Sequence, residues 1–157
     1  MNNLSFHITD IMTNSIRAKA SEIGLFIEER DLRITIRIAD NGLGMDAGTI
    51  ARVTNPFYTT RTTRKVGLGI PFLIQNAEQT GGAVSITSQP GKGTVVTASF
   101  CSNHIDCPPW GDLPGTVAML ITGNPDINIC FEYQAVKTVF SISTSEIKEI
   151  LDGIPLS

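Results

Sequence analysis

The stretch "ADNGLGM", residues 39–45, sets an acid, an amide and two glycines directly behind the run "RITIRI" of residues 33–38. The alternating isoleucines read as a strand, so Asp40 stands at a strand end, after which the chain gives up backbone stiffness. A plain strand-to-helix turn needs one glycine at most, so the second requires another reason. A carboxylate at the end of a sheet can accept a hydrogen bond from an exocyclic amine. Gly42 and Gly44 would let a flat ring approach the backbone there.

Upstream, "EIGLFIEE" (22–29) forms a hairpin with that strand across "RDL". Before it, "SFHITDIMTNSIRAKAS" (5–21) has Ile8, Ile11, Met12 and Ile16 at helical spacing and reads as an amphipathic helix. Downstream, "AGTIARV" (47–53) is a short helix with Asp46 near its N-cap. Residues 54–66, "TNPFYTTRTTRKV", carry a proline, many hydroxyls and the cations Arg61, Arg64 and Lys65 without periodicity, which is a loop. "LGIPFLIQNAEQT" (68–80) is a helix stopped by Gly81 and Gly82. Pro71 falls in its first turn, where proline is tolerated. "AVSITSQ", "PGKG" and "TVVTASF" make a second hairpin over 83–100. Strands that pair mainly as sequence neighbours give a mostly antiparallel sheet with helices on one face. The expectation is therefore an α+β, two-layer sandwich.

After Phe100 the composition shifts. "CSNHIDCPPWGDLPG" reads as a linker and "TVAMLITGN" as a helix. "INICFEY" and "KTVFSIS" read as a strand pair, and "TSEIKEILD" as a closing helix capped by Thr144 or Ser145. This divides the chain into residues 1–100 and a small α/β extension, 101–157, packed on the first part or mediating partner contacts. Trp110 would be a lid over the junction or a partner contact, although most single Trp residues in such positions are packing.

At 157 residues, 41% hydrophobic and 17% charged, the chain is globular and is sized for one domain or one with an appendage. A net charge of −3 gives no electrostatic reason to expect nucleic acid as a partner. No apolar run approaches the roughly 20 residues of a membrane span, and no export signal is recognisable. A cytoplasmic protein is expected, its three cysteines reduced thiols. "CSNHIDC" nonetheless groups Cys101, His104 and Cys107, and Cys130 could complete a zinc set, although C-x₅-C is looser than usual zinc spacing. The alternative reading packs Cys130 inside a strand and leaves Cys101 at the end of one.

On the first helix His7, Asp10, Asn14 and Arg17 recur at steps of three, four and three, which puts them on one face opposite the apolar stripe. Such a face is solvated by default, but this one combines a carboxylate, an amide oxygen and a cation. Asn14 offers a hard oxygen suited to Mg²⁺, which takes few protein ligands and keeps phosphate oxygens and water. Asp10, one turn before Asn14, could orient or deprotonate an attacking water or hydroxyl. "VGLGI" (66–70) opens a helix, so Gly67 and Gly69 can aim backbone N–H groups at a phosphate chain.

Taken in order, these segments resemble the GHKL superfamily of ATP-binding proteins, and most of all the catalytic domain of histidine kinases. Asp10 and Asn14 resemble its N box and "DNGLGM" its G1 box. "NPFYTT" is similar to the F box, "VGLGI" to the G2 box, and "GGAVSITSQPGKGTVVTASF" to the closing hairpin. The resemblance covers roughly residues 5–100 and implies a Bergerat-type sandwich that binds ATP with Mg²⁺. It implies that Asp40 binds the adenine amine with Thr94 nearby, and that Asn14 holds Mg²⁺ and phosphates with Arg17 in support. Gly42, Gly44, Gly67, Leu68 and Gly69 would shape the pocket. Residues 54–66, with Phe57, Thr59, Thr60 and Lys65, would form a lid over the nucleotide. Asp10 replaces the glutamate of many family ATPases, one methylene shorter.

A sensor histidine kinase also needs a helical hairpin bearing a phosphoacceptor histidine, and the chain begins almost at the N box. "HITDI" lacks the context of an acceptor, so His7 reads as a pocket-lining or solvated residue. The resemblance then implies a kinase-like subunit acting on a separate protein, as anti-sigma Ser/Thr kinases do, with a homodimer left open. The alternative is an ATP-gated interaction module without phosphotransfer. A slow ATPase of gyrase type ranks last.

Overall fold

The computed structural model describes residues 3–55, 69–136 and 138–146. Helix α1 spans Leu4–Arg17. Its N-cap is Asn3, whose side chain accepts from the Phe6 N–H at 2.7 Å. The helix takes in the whole apolar pattern to Ile16 but stops short of residue 21, because Lys19 takes φ 63° and turns the chain towards β1. Strands β1 (Glu22–Arg30) and β2 (Arg33–Asp40) form the expected hairpin. Its two turn residues, Asp31 and Leu32, both have positive φ, which matches the primed turns that suit strand twist.

Helix α2 (Ala47–Val53) starts on Asp46, whose Oδ1 accepts from the Thr49 N–H at 2.7 Å. Helix α3 spans Gly69–Gln79 and ends as the Gly81–Gly82 signal requires, with Gly81 at φ 84° and the Gly82 N–H bonded to the Ala77 carbonyl. Strands β3 (Ala83–Gln89) and β4 (Gly93–Cys101) pair antiparallel, and β4 also pairs antiparallel with β2.

The later residues continue this sheet. Helix α4 (Leu113–Gly123) is followed by β5 (Asn128–Ala135) and β6 (Thr138–Ser143), and the strand order is β3-β4-β2-β1-β5-β6. β5 lies parallel to β1, so the sheet is mixed, although its other pairings are antiparallel as expected. A parallel neighbour requires a crossover; residues 102–127, with α4, supply it. Helices α1, α3 and α4 cover one face, and the odd-numbered isoleucines of β1 interleave with the even-numbered ones of β2 in one core. Ile129 and Phe131 of β5 belong to that core, as do Val117, Leu120 and Ile121 of α4.

The linker is anchored as well. The Leu4 and Ser5 N–H groups, which a helix start leaves without partners, donate to the carbonyls of Pro109 and Trp110 at 2.8 and 3.1 Å. Trp110 donates its ring N–H to Glu29 at 3.1 Å, and Tyr133 gives its hydroxyl to the other oxygen of the same carboxylate. That bond is the main reason the Tyr133 pKa is pushed up to about 12. Trp110 is thus a clasp between layers. At the far end the chain enters a helical turn at Thr144, and its cap is Ser143, one residue before the expected position: the Glu146 N–H donates to the Ser143 hydroxyl at 3.1 Å. Residues 147–152 of the expected closing helix lie outside the described residues.

Candidate functional site

Asp40 closes β2, level with Thr94 on β4. Its Oδ1 accepts from the Gly42 N–H at 2.8 Å, and its Oδ2 accepts from the Ser15 hydroxyl at 2.6 Å. A cavity of about 270 Å³ opens onto this carboxylate. Its apolar walls come from Ile38, Val96 and Ile70; its polar groups are Asp40 and Thr94 from the sheet, Asn14, Ser15 and Arg17 from α1, and Thr49 from α2. Apolar walls with a few convergent polar groups are the usual make-up of a small-molecule site, typically about 300–1,000 Å³. Asn41 has a structural task. Its Oδ1 accepts from the Ser21 and Glu22 N–H groups at 2.9 and 3.0 Å and stitches the start of β1 to the end of β2.

The two glycines of the loop make room first for the protein itself. A Cβ on Gly42 would lie 2.7 Å from the Ala18 carbonyl oxygen, which already accepts from the Leu43 N–H at 2.8 Å. Gly44 has φ +72°, and a Cβ there would overlap the Gln89 carbonyl. The loop is pressed between the end of α1 and the β3–β4 turn, and only then lines the cavity. The turn holds it through hydrogen bonds from the Met45 N–H to the Ser88 hydroxyl, 2.7 Å, and from the Gly91 N–H to the Leu43 carbonyl, 2.6 Å. Ser88 also stands 2.8 Å from the Thr94 hydroxyl, so the floor and the loop share one network.

The polar face expected on α1 is divided. His7 is 2% exposed and forms no part of the solvated face. α3 packs over it, bringing the Asn76 side-chain nitrogen to 2.7 Å from His7 Nε2 and the Phe72 ring to 5.2 Å. An amide nitrogen only donates, so Nε2 accepts and the proton sits on Nδ1, which is buried without a partner among the described residues. Burial lowers the His7 pKa to about 4, which keeps the ring neutral at physiological pH.

Asp10, one turn further, borders a separate, larger cleft with Phe6, Thr54, Gly69 and Phe72. Its pKa is raised by burial and partly restored by the Arg17 charge. Gly69 opens α3 against it, where a Cβ would come within 3.2 Å of Asp10 Oδ2. Asn14 and Arg17 face the Asp40 cavity instead.

Phe57, Thr59, Thr60, Arg61, Arg64, Lys65, Gly67 and Leu68 lie outside the described residues. Among the described residues no three His, Cys, Asp or Glu side chains are grouped to hold a metal. Cys130 sits on β5 level with Gly24, while Cys101 ends β4 beside Arg33 at the opposite end of the hairpin, which separates the would-be zinc set. Among the described residues no helix is long and apolar enough to cross a membrane.

Ser15 went unmarked in the sequence, although a signal was present. It continues the stripe of Ile8, Ile11 and Met12, and a hydroxyl in an apolar stripe must find a partner.

Residues 3–103 match the family described as histidine kinase-, DNA gyrase B-, and HSP90-like ATPase, well over half of the chain. Among curated proteins, the sensor histidine kinase YxdK of Bacillus subtilis is 30% identical over 106 residues, 62% of this chain and 32% of that protein. The sensor protein kinase FleS of Pseudomonas aeruginosa is 35% identical over 93 residues, 57% of this chain and 23% of that one. Sporulation kinase E of B. subtilis is 31% identical over 97 residues, 60% of this chain and 13% of its own length. The chain therefore spans at most about a third of these relatives.

Proposed function

Because the chain belongs to the histidine kinase-, DNA gyrase B-, and HSP90-like ATPase family and so carries an ATP-binding, kinase-like domain, we propose that the cavity behind Asp40 takes the adenine of ATP and that the chain acts as a kinase-like or regulatory subunit towards a partner protein. The observation that carries this reading is the Asp40 carboxylate, with one donor on each oxygen, opening onto an apolar slot. Each oxygen keeps lone-pair capacity for an exocyclic amine. Thr94 stands beside it, and α1 brings Asn14 and Arg17 to the same cavity.

The donors present fit Mg²⁺. A single amide oxygen at a cavity wall leaves the ion to phosphate oxygens and water, as Mg²⁺ prefers, and when bound the ion would neutralise phosphate charge. Asn14 is the residue that would hold it, and Arg17 would add a contact to phosphate. Asp10, whose pKa burial raises, would take the proton of an acceptor group entering the cleft beside Gly69.

Calorimetry with ATP and Mg²⁺ tests the reading. Asp40→Ala should weaken binding by about 1.5–3 kcal/mol, roughly ten- to a hundred-fold, by removing a charge-assisted hydrogen bond. Equal affinity in wild type and variant would reject it. Radiolabel transfer to a co-encoded protein separates a kinase from an ATP-gated interaction module, which would bind ATP with negligible turnover.

A further inference from the structure

We infer that Ser15 is a positioning residue that sets base discrimination at Asp40, a step that rests on the nucleotide reading above. Its hydroxyl has one proton and two acceptors within reach, Asp40 Oδ2 at 2.6 Å and the Ile11 carbonyl at 3.5 Å. The shorter, charge-assisted contact takes the proton. The carboxylate is therefore held from both sides, by the Gly42 backbone on Oδ1 and by a helix side chain on Oδ2. Ser15 is itself 4% exposed and fixed on a packed helix, so the hydroxyl is held in place on its side of the carboxylate.

The consequence is chemical. Both groups that fix the carboxylate are donors, and a carboxylate held this way presents only lone pairs to the cavity. A 6-amino purine meets it with a donor. A 6-oxo purine meets it with another acceptor and is repelled. Without the hydroxyl, one anchor is lost, the carboxylate can turn about its terminal bond, and the penalty on the 6-oxo base relaxes. Ser15 directly follows Asn14, so one helix addresses the base with one residue and the proposed phosphate end with the one before it.

The test compares adenosine and inosine triphosphates, with Mg²⁺, on the full chain. Ser15→Ala should weaken ATP binding about ten-fold, the lower end for a hydrogen bond to a charged group, while inosine triphosphate changes less than about two-fold. Thermal melting without nucleotide checks that the variant is folded, and Ser15→Thr, which keeps the hydroxyl, should restore the preference. Asp40→Asn is the control, since its amide can donate to a 6-oxo group and should shift the ratio towards inosine. If Ser15→Ala weakens both nucleotides equally, or neither, the assignment of Ser15 is overturned while the Asp40 reading stands. If Asp40→Asn leaves the ratio unchanged, Asp40 does not read the base, and both fall.

Discussion

The two flanks of the sheet are built from the same alternation of side chains and use it differently. On the β2–β4 side the sheet ends in a carboxylate and a hydroxyl, α1 adds an amide, and the loop after Asp40 survives only because two glycines let the Ala18 and Gln89 carbonyls come close. On the β5–β6 side the inner face is apolar. Ile129 and Phe131 face Val117 and Ile121 of α4, and a groove of about 330 Å³ lined by Leu113, Tyr133 and Phe140 has almost no polar surface. The first flank packs through Ile34, Ile36, Ile38, Val96 and Phe100 and gathers its polar groups at one end of the sheet; the second adds apolar packing along its length.

The strongest way to break that comparison is to remove the second flank. Deleting residues 101–157 uncovers Ile23, Leu25 and Ile27 of β1 and removes the carbonyls that satisfy the start of α1. The expected outcome is loss of cooperative unfolding, read by circular dichroism during a urea titration; a truncated chain that still unfolds cooperatively and binds ATP would show the flanks to be independent. Next in size is Gly44→Ala, which places a Cβ in the Gln89 carbonyl at a positive φ. It should destabilise the protein by about 3 kcal/mol or more, measured by the urea midpoint, and weaken ATP binding with it. A Gly115→Ala change in the second flank would crowd only the exposed Asp112 side chain and should cost far less.

The third test sharpens the comparison through His7. A pKa lowered to about 4 means that the folded state resists a proton that the unfolded chain takes up near pH 6.5. Between those values the unfolded state binds more protons, so stability rises with pH. His7 should therefore contribute fully above pH 6.5 and lose about 2–3 kcal/mol as the pH falls to 4. Urea midpoints at several pH values should show this slope in wild type and a flatter one in His7→Gln.

Short local patterns carried the legible part. Asp40, Asn14 and the glycines stand out because their chemistry is unusual for the elements they sit on, and the Gly81–Gly82 stop and the Asp46 cap are local backbone needs. The parallel pairing of β5 with β1 was not legible, since a strand separated from its partner by a hundred residues carries no local mark of which edge it joins. His7 was misplaced because helical spacing gives the angle of a side chain and not the identity of what packs over it; α3 turned a polar face into an interior one. Ser15 was overlooked because a small hydroxyl within an apolar stripe looks like filler until its carboxylate partner arrives from β2.

The clasp of Pro109 and Trp110 on the opening turn of α1 has a consequence for biosynthesis. When a ribosome has delivered the first hundred residues, every described side chain that lines the Asp40 cavity exists, yet the helix that carries Asn14 and Ser15 still lacks acceptors for its leading amides. The nascent chain thus finishes its earliest helix with some of its later residues.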